Sequence, residues 1–122
     1  MLINLSNHPY ENWDIKQKQF ARELFNQVID LPFPEIDPLS NITAINNLAF
    51  EFLEKCKKLL KKEEDKQNAI HISGEPCFLF QFVTHAKEIN LICVCSTTRR
   101  IVTNIDNIKT SVFQFEQFRS YF

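Results

Sequence analysis

Three short polar segments of the sequence carry side chains that could bind or cleave a phosphate ester. Each follows an apolar run: Ser6-Asn7-His8, Ser73-Gly74-Glu75 and Ser96-Thr97-Thr98-Arg99-Arg100. Hydroxyl and amide groups hydrogen-bond to sugars, and guanidinium groups pair with phosphate. A histidine, whose reference pKa is about 6.5, can transfer protons near neutral pH. These residue types therefore indicate a site for an anionic, oxygen-rich ligand, provided that the fold brings the segments together.

Strands and helices alternate along most of the chain. The apolar patterns predict strands at Leu2–Leu5, Gln27–Leu31, Ala69–Ile72 and Leu91–Cys95, and helices at about Trp13–Phe25, Thr43–Lys62 and Pro76–Ile89. Residues 96–100 are expected to end the fourth strand. Ile101–Asn104 and Lys109–Phe118 then flank a turn and predict a C-terminal hairpin. This order favours an α/β protein with a mostly parallel sheet flanked by helices, to which the hairpin adds antiparallel strands at one edge.

The predicted fold brings the three polar segments to one end of the sheet. Ligands of open α/β sheets bind beyond the carboxyl ends of the strands, near the switch in strand order, and the segments follow the first, third and fourth strands. The helix from Pro76 would add free amide donors there. Gly74 is the only glycine, so glycine-rich phosphate loops are excluded, and we expect it to let a ligand approach the backbone closely.

Each candidate residue also has a purely structural interpretation. The stretch Ser6-Asn7-His8-Pro9 is as typical of a turn as of a site. Gln17 fits the start of a helix, and Glu75 fits a helix N-terminus. His71 would then be a packed or solvent-facing strand residue, and His85 a helix surface residue. In an extended segment Arg99 and Arg100 point to opposite faces, so we expect one of them at most to face the site.

Composition limits the classes of function. The 122 residues indicate one domain, residues 1–122. A net charge of -1 and a pI of about 6.3 argue against a broad surface for duplex DNA or RNA. The basic and acidic run at 55–67 fits an exposed helix end. We find no signal peptide or membrane span and expect a soluble, cytoplasmic protein. The cysteines lack zinc-site spacing, which predicts buried, reduced thiols and no metal or other cofactor; they are Cys56, Cys77, Cys93 and Cys95.

Four segments together resemble a known family. With "INLSNHP…W…Q", "VIDLPFP", "HISGE" and "CSTTRR…TSVFQF", the chain is similar to the small, stand-alone CRISPR-accessory ring nucleases and their viral counterparts. These are Rossmann-like (CARF-like) domains that degrade cyclic oligoadenylate second messengers. The resemblance covers nearly the whole chain in element order, size and placement of polar strand ends.

The resemblance implies a homodimer with a cyclic oligoadenylate pocket at its two-fold interface. Cleavage in the family needs no metal: a ribose 2′-hydroxyl attacks the adjacent phosphorus and leaves a 2′,3′-cyclic phosphate. Carried onto this sequence, it implies His8, Ser6 and Glu75 as catalytic residues. His8 would protonate the leaving oxygen, and Glu75 is the weaker candidate for the base. The implied ligand-binding residues are Asn7, Ser73, Gly74, Ser96, Thr97, Thr98, Arg99 and Arg100, with the phosphate contacts from Arg99, Thr97 and amides near Gly74.

Two functions follow, and the sequence leaves both open. The first is a ring nuclease that dampens CRISPR-type antiviral signalling. The second is a binding module, a sensor or sponge that holds a cyclic nucleotide without cleaving it. A different reaction on a nucleotide or an interaction-only role also remains. Core packing accounts for most of the twelve phenylalanines, but some near the C-terminus could form the dimer surface: Phe113, Phe115, Phe118 and Phe122.

Overall fold

A five-stranded sheet with helices on both faces forms the protein. The structure is a computed structural model that describes residues 1–60 and 67–122. Its strands are β1 (Leu2–Leu5), β2 (Val28–Asp30), β3 (Ala69–Ile72), β4 (Ile92–Ile105) and β5 (Ile108–Ser120). Its helices are α1 (Ile15–Phe25), α2 (Ile42–Leu60) and α3 (Pro76–Glu88), with a short 3-10 helix at Tyr10–Asn12. The predicted end of α2 at Lys62 and residues 61–66 of the charged run lie outside the described residues.

The sheet is mostly parallel, as predicted. Its strand order is β2-β1-β3-β4-β5, with three parallel pairings and an antiparallel β4–β5 pair at one edge. After β1 the chain adds β2 on one side of it and β3 on the other. The order therefore reverses between β1 and β3, and a crevice forms outside the carboxyl ends of such strands.

The prediction that residues 96–100 end the fourth strand is wrong. β4 pairs with β3 only from Ile92 to Val94, but it continues to Ile105 beside β5. Asp106 and Asn107 both have positive φ, 51° and 64°, as a two-residue hairpin turn that matches strand twist requires. The threonine, valine and isoleucine residues after position 96 favour a strand, and β5 satisfies their backbone groups. We call the exposed part of this hairpin, residues 98–114, the arm.

The two faces of the sheet bury different apolar clusters. Side chains alternate along each strand, so Ile3 and Ile70 pack against α2 and α3, whereas Leu2, Ala69 and Val94 pack against α1. All five are buried. On the α1 face, the residues two positions further toward the carboxyl ends of these strands are polar: Asn4, His71 and Ser96. The site described below lies at these polar residues.

Side-chain caps fix where two helices begin. Asp14 Oδ1 accepts a hydrogen bond from the backbone N–H of Gln17 (2.7 Å) at the start of α1. Glu75 Oε2 accepts one from the backbone N–H of Phe78 (2.7 Å) at the start of α3. Pro76 occupies the first turn of α3, where its missing N–H costs nothing. Within the described residues, no helix has the length and apolar character needed to cross a bilayer.

Candidate functional site

A row of polar side chains crosses the α1 face of the sheet near its carboxyl edge. Asp30 on β2, Asn4 on β1 and His71 on β3 are direct neighbours in register. The Asn4 amide nitrogen donates to Asp30 Oδ1 (2.8 Å) and to the His8 carbonyl (2.9 Å). The Asn4 amide oxygen accepts from Ser6 Oγ (2.7 Å) and lies 2.9 Å from His71 Nδ1. One buried amide thus joins three strands and the segment after β1.

These contacts determine the direction of every hydrogen bond in the row. A carboxylate and a carbonyl can only accept, so Asn4 Nδ2 must face Asp30 and His8, and Asn4 Oδ1 must face His71. His71 Nδ1 therefore carries the proton, and its Nε2 has a free lone pair. Ser96 Oγ lies 2.7 Å from Nε2 and donates to it, while Gln17 Nε2 donates to Ser96 Oγ at 2.9 Å. A serine hydroxyl is consequently paired with a neutral imidazole.

The surroundings of His71 keep that imidazole neutral. The residue is 4% exposed, and the rings of Trp13 and Phe118 lie 5.1 and 5.7 Å from its centroid. Burial is the main cause that lowers the pKa of His71 to about 4, and the charge of His8 lowers it further. At neutral pH the ring is therefore uncharged, and its Nε2 lone pair accepts the hydrogen bond from Ser96.

A polar cavity of about 340 Å³ opens beside this row. It lies at the carboxyl ends of β1 and β3, at the reversal of strand order, which is where open α/β sheets bind ligands. The side chains that line it belong to His8, Asn12, Asp14, Gln17, His71, Ser73, Cys95, Ser96, Thr98, Phe113 and Phe115. The cavity thus combines two imidazoles with hydroxyl, amide and carboxylate groups and an aromatic wall.

The structure brings four of the sequence-predicted residues together in this cavity: His8, Ser73, Ser96 and Thr98. Ser6 is buried behind them and supports Asn4. Asn7 and Glu75 line a neighbouring depression. Three residues lie apart along the β4–β5 hairpin, where Thr97 bonds to the Gln117 backbone, Arg99 pairs with Glu116 (3.3 Å) and Arg100 donates to Ser111. Within one chain, the predicted phosphate contacts of Thr97 and Arg99 are separated from the cavity.

Gly74 and Glu75 both have structural roles in this protein. The role of Gly74 was not predicted from the sequence, and that of Glu75 was the structural alternative to its predicted catalytic role. A Cβ atom on Gly74 would overlap the Phe33 ring, so the glycine makes room for that ring where we expected a ligand. Glu75 caps α3, and the Phe78 amide is the main cause that lowers the pKa of its carboxyl. A carboxylate stabilised in its ionised form is a poor proton acceptor, so this geometry favours the cap over the predicted base.

Of the side chains that make the hydrogen bonds of the polar row, the sequence analysis missed four as site residues: Asn4, Gln17, Asp30 and His71. Asn4 and His71 interrupt short apolar strands at alternate positions, and a buried polar residue in such a strand is the signal that could have found them. Gln17 does start a helix, as predicted, but its side chain also faces the cavity. The prediction that His85 is a surface residue is wrong, because it stacks on Phe50 (3.8 Å between centroids) and bonds to Asn46 (2.6 Å).

The four cysteines are unpaired thiols in different settings. Cys56 and Cys93 are buried, and burial raises the pKa of each to about 12. The prediction of a buried thiol is wrong for Cys77, which is exposed on α3, and Cys95 is half-buried at the cavity. Across residues 1–60 and 67–122, no three His, Cys, Asp or Glu side chains are placed to hold a metal ion.

These observations define an α/β domain with strand order 2-1-3-4-5 and a polar, histidine-containing cavity at its β1–β3 switch point. The chain belongs to the Uncharacterized protein MJ1673 family, whose model matches residues 1–119. No curated protein and no solved structure shows a match to it.

Proposed function

We propose that the cavity binds a cyclic oligoadenylate and cleaves its phosphodiester linkages without a metal, so that the protein is a ring nuclease that dampens CRISPR-type signalling. The observation that carries this proposal is the pair of imidazoles, His8 and His71, on one polar cavity. Attack by a ribose 2′-hydroxyl needs one group that accepts a proton and another that donates one. Two titratable groups in unequal environments suit that division.

Ser96 and His71 form the proton-accepting side of this mechanism. As the 2′-hydroxyl attacks phosphorus, its proton passes to Ser96 Oγ, while the Ser96 proton passes to His71 Nε2 along the hydrogen bond whose heavy atoms are 2.7 Å apart. Gln17 Nε2 has two N–H groups, and one of them donates to Ser96. We assign the second to a phosphoryl oxygen, where it would offset the charge that develops in the transition state.

His8 forms the proton-donating side. Its carbonyl accepts hydrogen bonds from Asn4 Nδ2 (2.9 Å) and Trp13 Nε1 (3.0 Å), and its backbone N–H donates to Ser6 Oγ (3.2 Å). These three hydrogen bonds, together with the fixed φ of Pro9, hold the His8 backbone so that its ring borders the cavity. Ser6 thus supports the acid from behind, and the His8 ring protonates the departing 5′-oxygen.

The proposal includes a Rossmann-like, CARF-like fold, a homodimer and a cytoplasmic location. The strand order and the position of the cavity support the fold. The arm supports the dimer, because a second copy packed on this exposed hairpin would cover its apolar side chains and bring the arginines of one protomer toward a ring bound by both. The four unpaired cysteines fit a reducing compartment.

One observation favours the alternative of a binding module that does not cleave. A pKa of about 4 makes His71 a weak base, and hydrogen bonding alone would still let the cavity hold a nucleotide. In that case the Asp30–Asn4–His71–Ser96 row would fix a donor and acceptor pattern for recognition and would take no part in a reaction.

One experiment tests both functions. The protein is incubated in EDTA with cyclic tri-, tetra- or hexaadenylate, and the products are followed by mass spectrometry. The ring nuclease predicts linear products that end in a 2′,3′-cyclic phosphate, with a loss of about 100-fold or more in rate for His8→Ala and for His71→Gln. His85→Gln is the matched control and should cleave like the wild type. Rings that stay intact but raise the melting temperature of the protein would replace the ring nuclease with the binding module. If the rings are neither cleaved nor bound, both functions are excluded.

A further inference from the structure

We propose that Ser96 is a covalent nucleophile that gives the same cavity a second activity, the hydrolysis of phosphodiesters that lack a 2′-hydroxyl. Ser96 Oγ lies 2.7 Å from His71 Nε2, and His71 Nδ1 lies 2.9 Å from Asn4 Oδ1. A nucleophile, a base and a group that orients the base are thereby linked in series. This arrangement activates serine and cysteine nucleophiles on unrelated folds.

The orienting group is itself held in place. Asp30 Oδ1 and the His8 carbonyl accept both N–H groups of Asn4 at 2.8 and 2.9 Å. The amide therefore cannot flip, and the only tautomer of neutral His71 that satisfies Asn4 leaves Nε2 free for Ser96. An amide in the third position orients the imidazole as a carboxylate would but without a charge.

The nucleophile is accessible, and its oxygen has a second donor beside it. Ser96 is half-buried and lines the cavity of about 340 Å³. Gln17 Nε2 is 2.9 Å from Ser96 Oγ, so it is close to any phosphorus that Ser96 attacks. Its N–H groups would stabilise the negative charge on the phosphoryl oxygens as the new bond forms.

The reaction would proceed in two balanced steps. Ser96 Oγ forms a bond to phosphorus as the bond from phosphorus to the leaving alcohol breaks. The Ser96 proton moves to His71 Nε2 and from there to the leaving oxygen. A water molecule then transfers a proton to Nε2 and attacks phosphorus, and Ser96 Oγ leaves with that proton. One water is consumed, and the products are an alcohol and a phosphomonoester.

This activity is separable from the proposed ring nuclease. Attack by a 2′-hydroxyl cannot cleave a diester that has no such group, whereas attack by Ser96 can. Bis(4-nitrophenyl) phosphate is therefore a suitable substrate, because release of 4-nitrophenolate reports only the second activity. A failure of one assay leaves the result of the other unaffected.

The test uses the full chain and two measurements. We expect turnover of bis(4-nitrophenyl) phosphate that falls by about 100-fold or more in Ser96→Ala and His71→Gln, and that stays at the wild-type rate in Ser111→Ala and Ser40→Ala. We also expect Ser96 Oγ to displace fluoride from a fluorophosphonate probe and to form a covalent adduct. Peptide mapping by mass spectrometry would detect this adduct. Ser96→Cys keeps a nucleophile at the same position and should retain a covalent adduct.

Specific results would overturn the proposal. Absence of turnover, absence of the fluorophosphonate adduct, or an adduct on a serine other than Ser96 would each do so. An unchanged turnover in Ser96→Ala would do so as well. The Ser96→Cys side chain is similar in shape to serine and still has a hydrogen to donate. An adduct on this cysteine therefore tests for a nucleophile at position 96 even where Ser96→Ala fails to fold.

Discussion

The His71 ring is an ionisable group that the fold holds in its uncharged form. Two hydrogen bonds, to Asn4 Oδ1 and Ser96 Oγ, satisfy both ring nitrogens in one tautomer. A second proton would turn Nε2 into a donor, and Ser96 would then have to reverse its own hydrogen bond. The apolar rings of Trp13 and Phe118 add the cost of placing a charge beside them. The residue thus combines readiness to accept a hydrogen bond with resistance to becoming charged.

This resistance predicts a pH-dependent stability. The folded-state pKa of His71, about 4, lies below the unfolded value of about 6.5. Between those values the unfolded chain binds a proton that the folded chain does not, so the free energy of unfolding falls as the pH is lowered. We expect this residue to remove about 2 kcal/mol between pH 7.5 and pH 5, measured by urea denaturation.

The matched variants isolate that contribution. His71→Gln should have a flatter dependence of unfolding free energy on pH, whatever its stability at pH 7.5. His8→Ala removes the other imidazole of the cavity and should keep most of the slope, because burial is the main cause of the shifted pKa of His71. Equal slopes in the wild type and in His71→Gln would contradict the assignment.

At the residue scale the sequence predicts the site in part. The positions of His8, Ser73, Ser96 and Thr98 after the predicted strands indicate a site, and that rule needs only predicted element boundaries, although Ser96 and Thr98 lie inside β4. Asn4 and His71 lie inside strands, where the local pattern indicates only strand residues. Their role depends on cross-strand register, which places them side by side, and no local pattern gives the register of two strands that are 67 residues apart.

At the scale of elements, a contact between the single glycine and the Phe33 ring connects the start of α3 to the loop after β2. Gly74 has φ of 157°, and the Phe33 ring lies over it while also packing 5.0 Å from the Phe78 ring. The loop between β2 and α2 is thereby attached to the carboxyl end of β3. Asn7 and Glu75 line the depression beside Phe33.

We predict that Gly74→Ala lowers the free energy of unfolding by about 1–3 kcal/mol, because the new methyl group and the Phe33 ring cannot occupy the same space. Phe33→Ala also destabilises, since its ring packs on Phe78. A double-mutant cycle by urea denaturation should give a smaller Gly74→Ala penalty in the Phe33→Ala background. Ser73→Ala, one residue earlier, is the control. A penalty that is the same in both backgrounds would mean that Phe33 is not the cause.

Element boundaries were predictable where local chemistry sets them. β1 and β3 match the predicted ranges because each is a short apolar run followed by polar residues, and α3 begins at the predicted proline. β4 was predicted too short because its outer half has no apolar face against the core. Its partner is β5, which pairs with β4 along Val94–Ile105 with a register shift between Thr97 and Thr98. That pairing supports the strand in place of contact with the core.

At the scale of the whole molecule, the arm is an extended apolar and polar surface that one chain leaves uncovered. Every residue from 98 to 114 is exposed. Directly opposed residues share a face of a hairpin, so the pairs Ile101–Val112 and Ile105–Ile108 form an apolar surface on one side of the arm. Ile105 and Ile108 are 68% and 67% exposed. A two-stranded ribbon is marginally stable on its own, and the homodimer that we propose would bury this face against a second copy.

The dimer is tested by charge substitutions on two separate apolar surfaces. Light scattering at micromolar concentration should give the wild type about twice the 14.4 kDa chain mass. The variant Ile105→Asp with Ile108→Asp should return to the mass of one chain, because burying two carboxylates in an apolar interface costs more than the interface supplies. Phe80→Asp places the same charge on the exposed outer face of α3, where Phe80 is 68% exposed, and should remain dimeric. A monomeric wild type would remove the dimer from the proposed function, and a monomer caused by Phe80→Asp alone would move the interface from the arm to α3.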